Sequence, residues 1–108
     1  MSWDIQYTAG AKRDLYNIYQ YIVYDLLEPE TAQKQLRRIV KGIRSLEESP
    51  MRHRLYDEEP WKSQGTRFFP VDNYVILYLV NESNHTVFIA HVIYGGRNLP
   101  RQMRHSGF

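Results

Sequence analysis

The sequence predicts an α+β fold in the order β-α-α-β-β-β, with a helical hairpin packed on one side of a mostly antiparallel sheet. Apolar residues recur at helical spacing in two consecutive stretches before residue 50, which predicts the hairpin. Runs of β-branched and aromatic residues fill the chain from residue 66 to residue 94, which predicts strands. At 108 residues we expect one domain, residues 1–108.

The first helix is predicted directly after a short strand. Residues 3–7 alternate between apolar and polar, as in a half-exposed strand, and Thr8 then supplies a hydroxyl that can cap a helix. Apolar residues follow at intervals of four, three, four and four, namely Ala11, Leu15, Ile18, Ile22 and Leu26. This spacing places them on one face of the helix, which we expect to lie against the core.

Glu28-Pro29 separates the two helices, because the residue before a proline avoids helical geometry while proline itself is favourable in a first turn. The second helix repeats the apolar spacing until Ser49-Pro50, with Ala32, Leu36, Ile39, Ile43 and Leu46. Residues 51–65 show no apolar period. We therefore expect an exposed connection there.

Three strands are predicted in the second half of the chain. Arg67–Val71 is the first, and Asp72-Asn73 then forms a turn. Residues 74–80 are apolar at every position, which is typical of a strand covered on both faces. Thr86–Tyr94 forms a hairpin with that strand and ends at Gly95-Gly96.

Composition excludes several classes of protein. The absence of cysteine removes disulfides, thiolate metal sites and cysteine nucleophiles. We find no metal-ligand spacing, Gly-rich phosphate loop or nucleophile motif, so no metal and no cofactor are expected. The N-terminus does not resemble a signal peptide, and eighteen apolar residues nowhere stand together. We expect a soluble, cytoplasmic protein without a membrane partner.

The C-terminal quarter is basic although the net charge is only +2. No acidic residue follows Glu82, and the cationic residues there include Arg97, Arg101 and Arg104. These three arginines are candidates for binding nucleic acid. The alternative, a solvated basic tail over residues 99–108, is equally open.

Four segments taken together resemble toxins of the RelE/ParE superfamily. They are TAGAKRDL (8–15), LEESP (46–50), RFFPVDNYVILY (67–78) and VIYGGRN (92–98), and the match runs from about residue 3 to residue 99. The resemblance implies a bacterial type II toxin, as in plasmid stabilisation systems, neutralised by a cognate antitoxin from an adjacent gene. Operator DNA would be bound only through that antitoxin.

The resemblance leaves the target open, since RelE-like members cut mRNA in the ribosome and ParE-like members poison DNA gyrase. Arg97 is the only residue of the RelE nuclease set that is plainly present. Val75 replaces an arginine, Thr66 and Phe68 replace lysines, and residues 102–104 contain no tyrosine. We therefore favour a ParE-like gyrase poison. The alternatives are a metal-free mRNA endoribonuclease with an altered catalytic set and a decayed, non-toxic antitoxin-binding module.

An altered catalytic set would consist of His91 and Tyr94 with Arg67 and Arg97, because it offers a base near neutral pH and several phosphate contacts. Strict alternation places His91 on one strand face with Ile89 and Ile93, where a structural histidine is also expected.

The first helix carries more tyrosines than its apolar face can hold. We expect Tyr16, Tyr19 and Tyr24 to contact the antitoxin.

Overall fold

The computed structural model describes residues 2–95 and confirms the predicted fold class. The strands are β1 (Asp4–Tyr7), β2 (Arg67–Val71), β3 (Tyr74–Asn81) and β4 (Thr86–Tyr94). The helices are α1 (Ala9–Gln20), α2 (Pro29–Arg44) and a short α3 (Trp61–Gln64). A π-helical turn, Tyr21–Asp25, continues α1, and a 3₁₀ turn, Ser45–Glu47, continues α2. Within the described part, no helix is long and apolar enough to cross a membrane.

The four strands form one sheet in the order β1-β4-β3-β2. β1 lies parallel to β4 at one edge, while β4 with β3 and β3 with β2 are antiparallel. A parallel neighbour requires a crossover connection, and the helical hairpin is part of it. The sheet is therefore mostly antiparallel, as predicted.

Thr8 joins the start of α1 to the sheet. Its hydroxyl oxygen accepts a hydrogen bond from the Ala11 N–H at 3.1 Å, which confirms the predicted helix cap. The same hydroxyl lies 2.9 Å from the Ile89 carbonyl and 3.0 Å from the Ala90 carbonyl, to which it donates. The cap therefore also sets where the first helix crosses β4.

The main core lies between the hairpin and the inner face of the sheet. Ile39, Ile43 and Leu46 of the second helical segment are fully buried there, which confirms its predicted apolar face. Leu26, predicted on the core face of the first helix, is 47% exposed. That prediction was wrong because the helix widens to π geometry, in which the Leu26 N–H bonds to the Tyr21 carbonyl five residues earlier.

The outer face of the sheet is covered by the segment predicted as an exposed connection. Tyr56 and Trp61 are buried there against Leu77 and Ile93. The prediction for residues 51–65 was therefore wrong at these two aromatic anchors. β3 is covered on both faces, as predicted, and the segment that contains the short α3 covers the outer one.

Candidate functional site

Tyr94, the last residue of β4, lies on a groove between the end of the sheet and the helical hairpin. This tyrosine groove has a volume of about 710 Å³, and its lining includes Ile18, Tyr21, Leu26, Asn73, Tyr74 and Tyr94. Tyr21 and Tyr94 are more than half exposed. Tyr94 comes shortly before the C-terminal segment that contains the candidates Arg97, Arg101 and Arg104. These three arginines fall outside the described residues.

The tyrosines in this groove interact with one another. Tyr74 and Tyr94 are paired across β3 and β4, and their rings meet edge to face with centroids 5.8 Å apart. Burial raises the pKa of Tyr74, and the neighbouring Tyr94 and Tyr21 phenols raise it further. The raised pKa means that Tyr74 resists ionisation more than a free tyrosine does. It can donate a hydrogen bond but is unsuited to removing a proton.

Gly95 determines how the chain leaves the sheet beside this groove. Its N–H donates to the Asn73 carbonyl at 2.8 Å. A Cβ atom at this position would lie 2.6 Å from Val75 Cγ2, so any larger residue would collide with β3. The glycine therefore permits the close contact that holds the end of β4 against the Asp72-Asn73 turn.

His91 lies at a β-bulge, and its predicted placement was wrong. The register pairs Leu77 with His91 but Tyr78 with Ile89, so Ala90 is an extra residue in β4. Alternation breaks at this point. Ile89 consequently packs in the main core, whereas Ile93 packs in the outer cluster.

The bulge brings His91 to α1. The Nδ1 of His91 donates to Asp14 Oδ2 at 2.8 Å, and the Val92 N–H donates to the same oxygen at 3.0 Å. Sequence reasoning missed Asp14. The available signal was its spacing, three residues after Ala11 and four before Ile18, which places it on the apolar face of the helix. A carboxylate on a face that packs against the core needs a hydrogen-bond partner.

Arg67 is bound to the loop that precedes α3. Its Nη1 donates to the His53 carbonyl at 2.7 Å and to the Met51 carbonyl at 3.3 Å. Arg67 pairs with Tyr78, whereas Tyr94 pairs with Tyr74. Their β3 partners, Tyr78 and Tyr74, are four residues apart along the strand, which corresponds to roughly 13 Å. The structure therefore does not bring Arg67, His91 and Tyr94 together at one point.

A second groove lies on the helical hairpin and collects two of the three tyrosines predicted to contact an antitoxin. This hairpin groove has a volume of about 420 Å³ and is almost entirely apolar, with a lining that includes Tyr7, Leu15, Tyr16, Tyr19, Leu36 and Val40. Burial raises the pKa of Tyr7, and the charge of nearby Arg44 opposes that shift. Tyr24 is 65% exposed but does not line this groove.

A row of cations runs along α2 next to the hairpin groove. Lys34, Arg37, Lys41 and Arg44 recur at intervals of three, four and three residues, so they share one helix face. All four are exposed, and within residues 2–95 none of them forms an ion pair. We call these four residues the basic stripe. Within the same part of the chain, no three His, Asp or Glu side chains are grouped to hold a metal ion.

Comparison with known proteins identifies the family. A family model described as the ParE toxin of the type II toxin–antitoxin system parDE matches residues 5–99. The fold is similar to that in the chromosomal ParDE toxin–antitoxin system from P. aeruginosa, with a TM-score of 0.72 and 21% identity over 88% of this chain and 98% of that chain. It is also similar to that in the toxin–antitoxin complex RelBE2 from Mycobacterium tuberculosis, with a TM-score of 0.64 and 22% identity over 87% and 99%. No curated protein gives a match. Because the family model spans most of its length, the chain belongs to the ParE family of type II toxins.

Proposed function

We propose that this toxin arrests bacterial growth by poisoning DNA gyrase. The observation that carries the proposal is the match of the ParE family over residues 5–99. The separation of Arg67, His91 and Tyr94 gives additional support, because general acid–base cleavage of RNA needs its groups within hydrogen-bond reach of one phosphodiester. The proposed target lies in the cytoplasm, where the toxin would act.

The tyrosine groove, together with the residues that follow Gly95 in the sequence, is our candidate for the surface that contacts the target. Tyr21 and Tyr94 offer large, exposed, rigid rings, which are favourable anchors in interfaces. Arg97 follows Gly95 by two residues along the chain. Arg97 would bind an anionic group of the gyrase–DNA complex, and Arg101 and Arg104 would contact its DNA. We further propose one toxin domain over residues 1–108, with a basic tail at 99–108.

The hairpin groove is our candidate for the antitoxin site. An amphipathic segment can bury apolar side chains against Tyr16 and Tyr19, and acidic residues on its flank can face the basic stripe. Tyr24 would contact the same partner outside the groove. The cognate antitoxin, encoded by an adjacent gene, would also be the component that binds operator DNA.

The direct test is a gyrase assay with the purified toxin and plasmid DNA. We expect linear, protein-linked DNA to accumulate with toxin concentration and to disappear when the cognate antitoxin is added in excess. Arg97→Ala should abolish the effect, whereas Arg13→Ala, which removes an exposed arginine of α1, should not. Gyrase activity that is unchanged by the toxin would refute the proposal. Cleavage of translated mRNA by the same preparation would support the nuclease alternative.

A further inference from the structure

The Asp72-Asn73 turn lies between the second helix and the end of β4. On one side, a Cβ atom at Gly42 of α2 would lie 2.7 Å from Val71 Cγ2, so the helix closely approaches the residue before the turn. On the other side, the Asn73 carbonyl accepts the hydrogen bond from the Gly95 N–H at 2.8 Å. The turn therefore connects the position of α2 to the position at which the chain leaves β4.

Asp72 is bound to α2 by two side chains. Arg38 Nη2 lies 2.7 Å from Asp72 Oδ1 in an ion pair, and Gln35 Nε2 donates to Asp72 Oδ2 at 2.9 Å. The two contacts use both oxygens of the carboxylate. Although the turn is on the surface, only 27% of the Asp72 side chain is exposed. The carboxylate therefore lies against the helix rather than in solvent.

The backbone conformation of the turn does not by itself require an aspartate at position 72. Its φ of 56° lies in the left-handed region, which glycine adopts without steric cost and which asparagine tolerates as aspartate does. Neither glycine nor asparagine could form an ion pair with Arg38. The aspartate therefore meets two requirements together, the geometry of the turn and a negative charge that faces α2.

We propose that Asp72 is a positioning residue for contact with the target. Held by Arg38 and Gln35, it fixes the turn whose Asn73 carbonyl binds Gly95, and thereby the point from which the residues after Gly95 continue. Gln35 and Asn73 also line the tyrosine groove, so the same contacts set its wall between α2 and the sheet. The inference rests on the proposed function, because it takes this groove and the residues after Gly95 as the target surface. It does not require that the target is gyrase.

The first measurement is hydrogen exchange of the Gly95 amide, followed by NMR in the ¹⁵N-labelled toxin without any target. Arg38→Gln and Asp72→Asn should each speed this exchange about two- to fivefold, as expected for the loss of an exposed ion pair. The double variant should exchange no faster than the single variants, because all three lose the same contact. Arg38→Lys keeps the charge and should keep most of the protection. Added salt should speed exchange in the parent chain but not in Arg38→Gln.

The second measurement is growth arrest in bacteria that lack the antitoxin, expressed as the amount of toxin that halves the growth rate. Arg38→Gln and Asp72→Asn should each raise this amount at least about twofold, with no further increase in the double variant. Arg38→Lys should remain close to the parent chain. The matched control is Arg13→Gln, which removes an exposed arginine of α1 and should behave like the parent chain in both measurements.

The proposal is overturned if Gly95 exchange is unchanged in Arg38→Gln and Asp72→Asn, or if the effects of the two substitutions add. Faster Gly95 exchange with undiminished growth arrest would also overturn it, because the contact would then be structural only. Growth arrest is scored whatever the target is. Arrest by the parent chain without gyrase–DNA complexes would therefore refute the proposed gyrase target and leave the role of Asp72 to be decided by these variants.

Discussion

Asp14 of the first helix accepts hydrogen bonds from both the His91 ring and the Val92 backbone of the last strand, at 2.8 and 3.0 Å. β1 pairs with β4 only as far as Ile89, so β4 continues beyond its parallel neighbour. The Asp14 carboxylate takes the place of a neighbouring strand there. It holds the part of β4 that leads to Tyr94 and the tyrosine groove.

Asp14→Ala is expected to lower the free energy of unfolding by about 1–3 kcal/mol, because it removes the carboxylate that accepts from the partly buried Val92 N–H and from His91 Nδ1. Urea denaturation followed by circular dichroism measures this difference. Asp25→Ala, which removes an exposed carboxylate from the end of the same helix, is the control and should change stability by less than about 0.5 kcal/mol. Equal stability of the two variants would contradict the assigned role of Asp14.

Arg67→Gln is expected to loosen the loop that carries Arg52 and Arg54, since a shorter neutral side chain cannot make the two contacts to the Met51 and His53 carbonyls. Limited proteolysis with trypsin, followed by mass spectrometry, should show faster cleavage after Arg52 and Arg54. Arg37→Gln should leave those cleavage rates unchanged. If the Arg67 variant is cut at the rate of the parent chain, the loop is held by other contacts.

Stability should decrease between pH 10 and 12 because of Tyr78. Burial raises the pKa of Tyr78 from 10.0 to about 12, and nearby Arg67 and Arg52 only partly oppose this. A raised pKa means that the folded state favours the neutral phenol. This contribution to stability is therefore complete below pH 10 and is lost as the pH rises through 12, with a slope of at most about 1.4 kcal/mol per pH unit.

The matched comparison for this pH dependence is Tyr78→Phe with Tyr16→Phe. Tyr78→Phe should show a smaller loss of unfolding free energy between pH 9 and pH 11 than the parent chain. Tyr16 is 63% exposed, so Tyr16→Phe should follow the parent curve. Identical curves for all three proteins would mean that Tyr78 does not resist ionisation.

Charge reversal on the basic stripe is expected to weaken capture of the toxin by its antitoxin. Arg37→Glu/Lys41→Glu should reduce the association rate at least tenfold at low salt, and the difference should shrink as salt is added, since steering by exposed charges is screened. Surface plasmon resonance with the immobilised cognate antitoxin measures both effects. Lys12→Glu, which reverses an exposed lysine of α1 outside the stripe, is the control. Unchanged rates in the double variant would place the antitoxin elsewhere.

Local patterns were sufficient to predict the order of the strands and of the two long helices, but not the short α3. Helical periodicity identified both long helices, Thr8 marked the first cap, and the bounds of β2 and β4 follow from composition and turn residues. These features depend on neighbours in the sequence. The pairing of β1 with β4 depends on contacts more than eighty residues apart, and no local pattern specifies it.

The candidate sites were harder to predict because they depend on departures from regular geometry. A bulge at Ala90 moves His91 from a strand face to the Asp14 carboxylate, and a π-helical turn exposes Leu26. Strict alternation and a constant helical period cannot include either feature. The packing of residues 51–65 on the sheet also escaped prediction, because a segment without an apolar period contains two buried aromatic anchors, Tyr56 and Trp61.

The most direct measurement of the central claim is the order of events after the toxin is induced in bacteria that lack the antitoxin. Cells would be sampled over the first minutes for gyrase covalently bound to DNA and for the rate of protein synthesis. We expect gyrase–DNA complexes and a DNA damage response to appear first, while protein synthesis continues. Immediate loss of protein synthesis with cuts in translated mRNA, or unimpaired growth, would contradict the account.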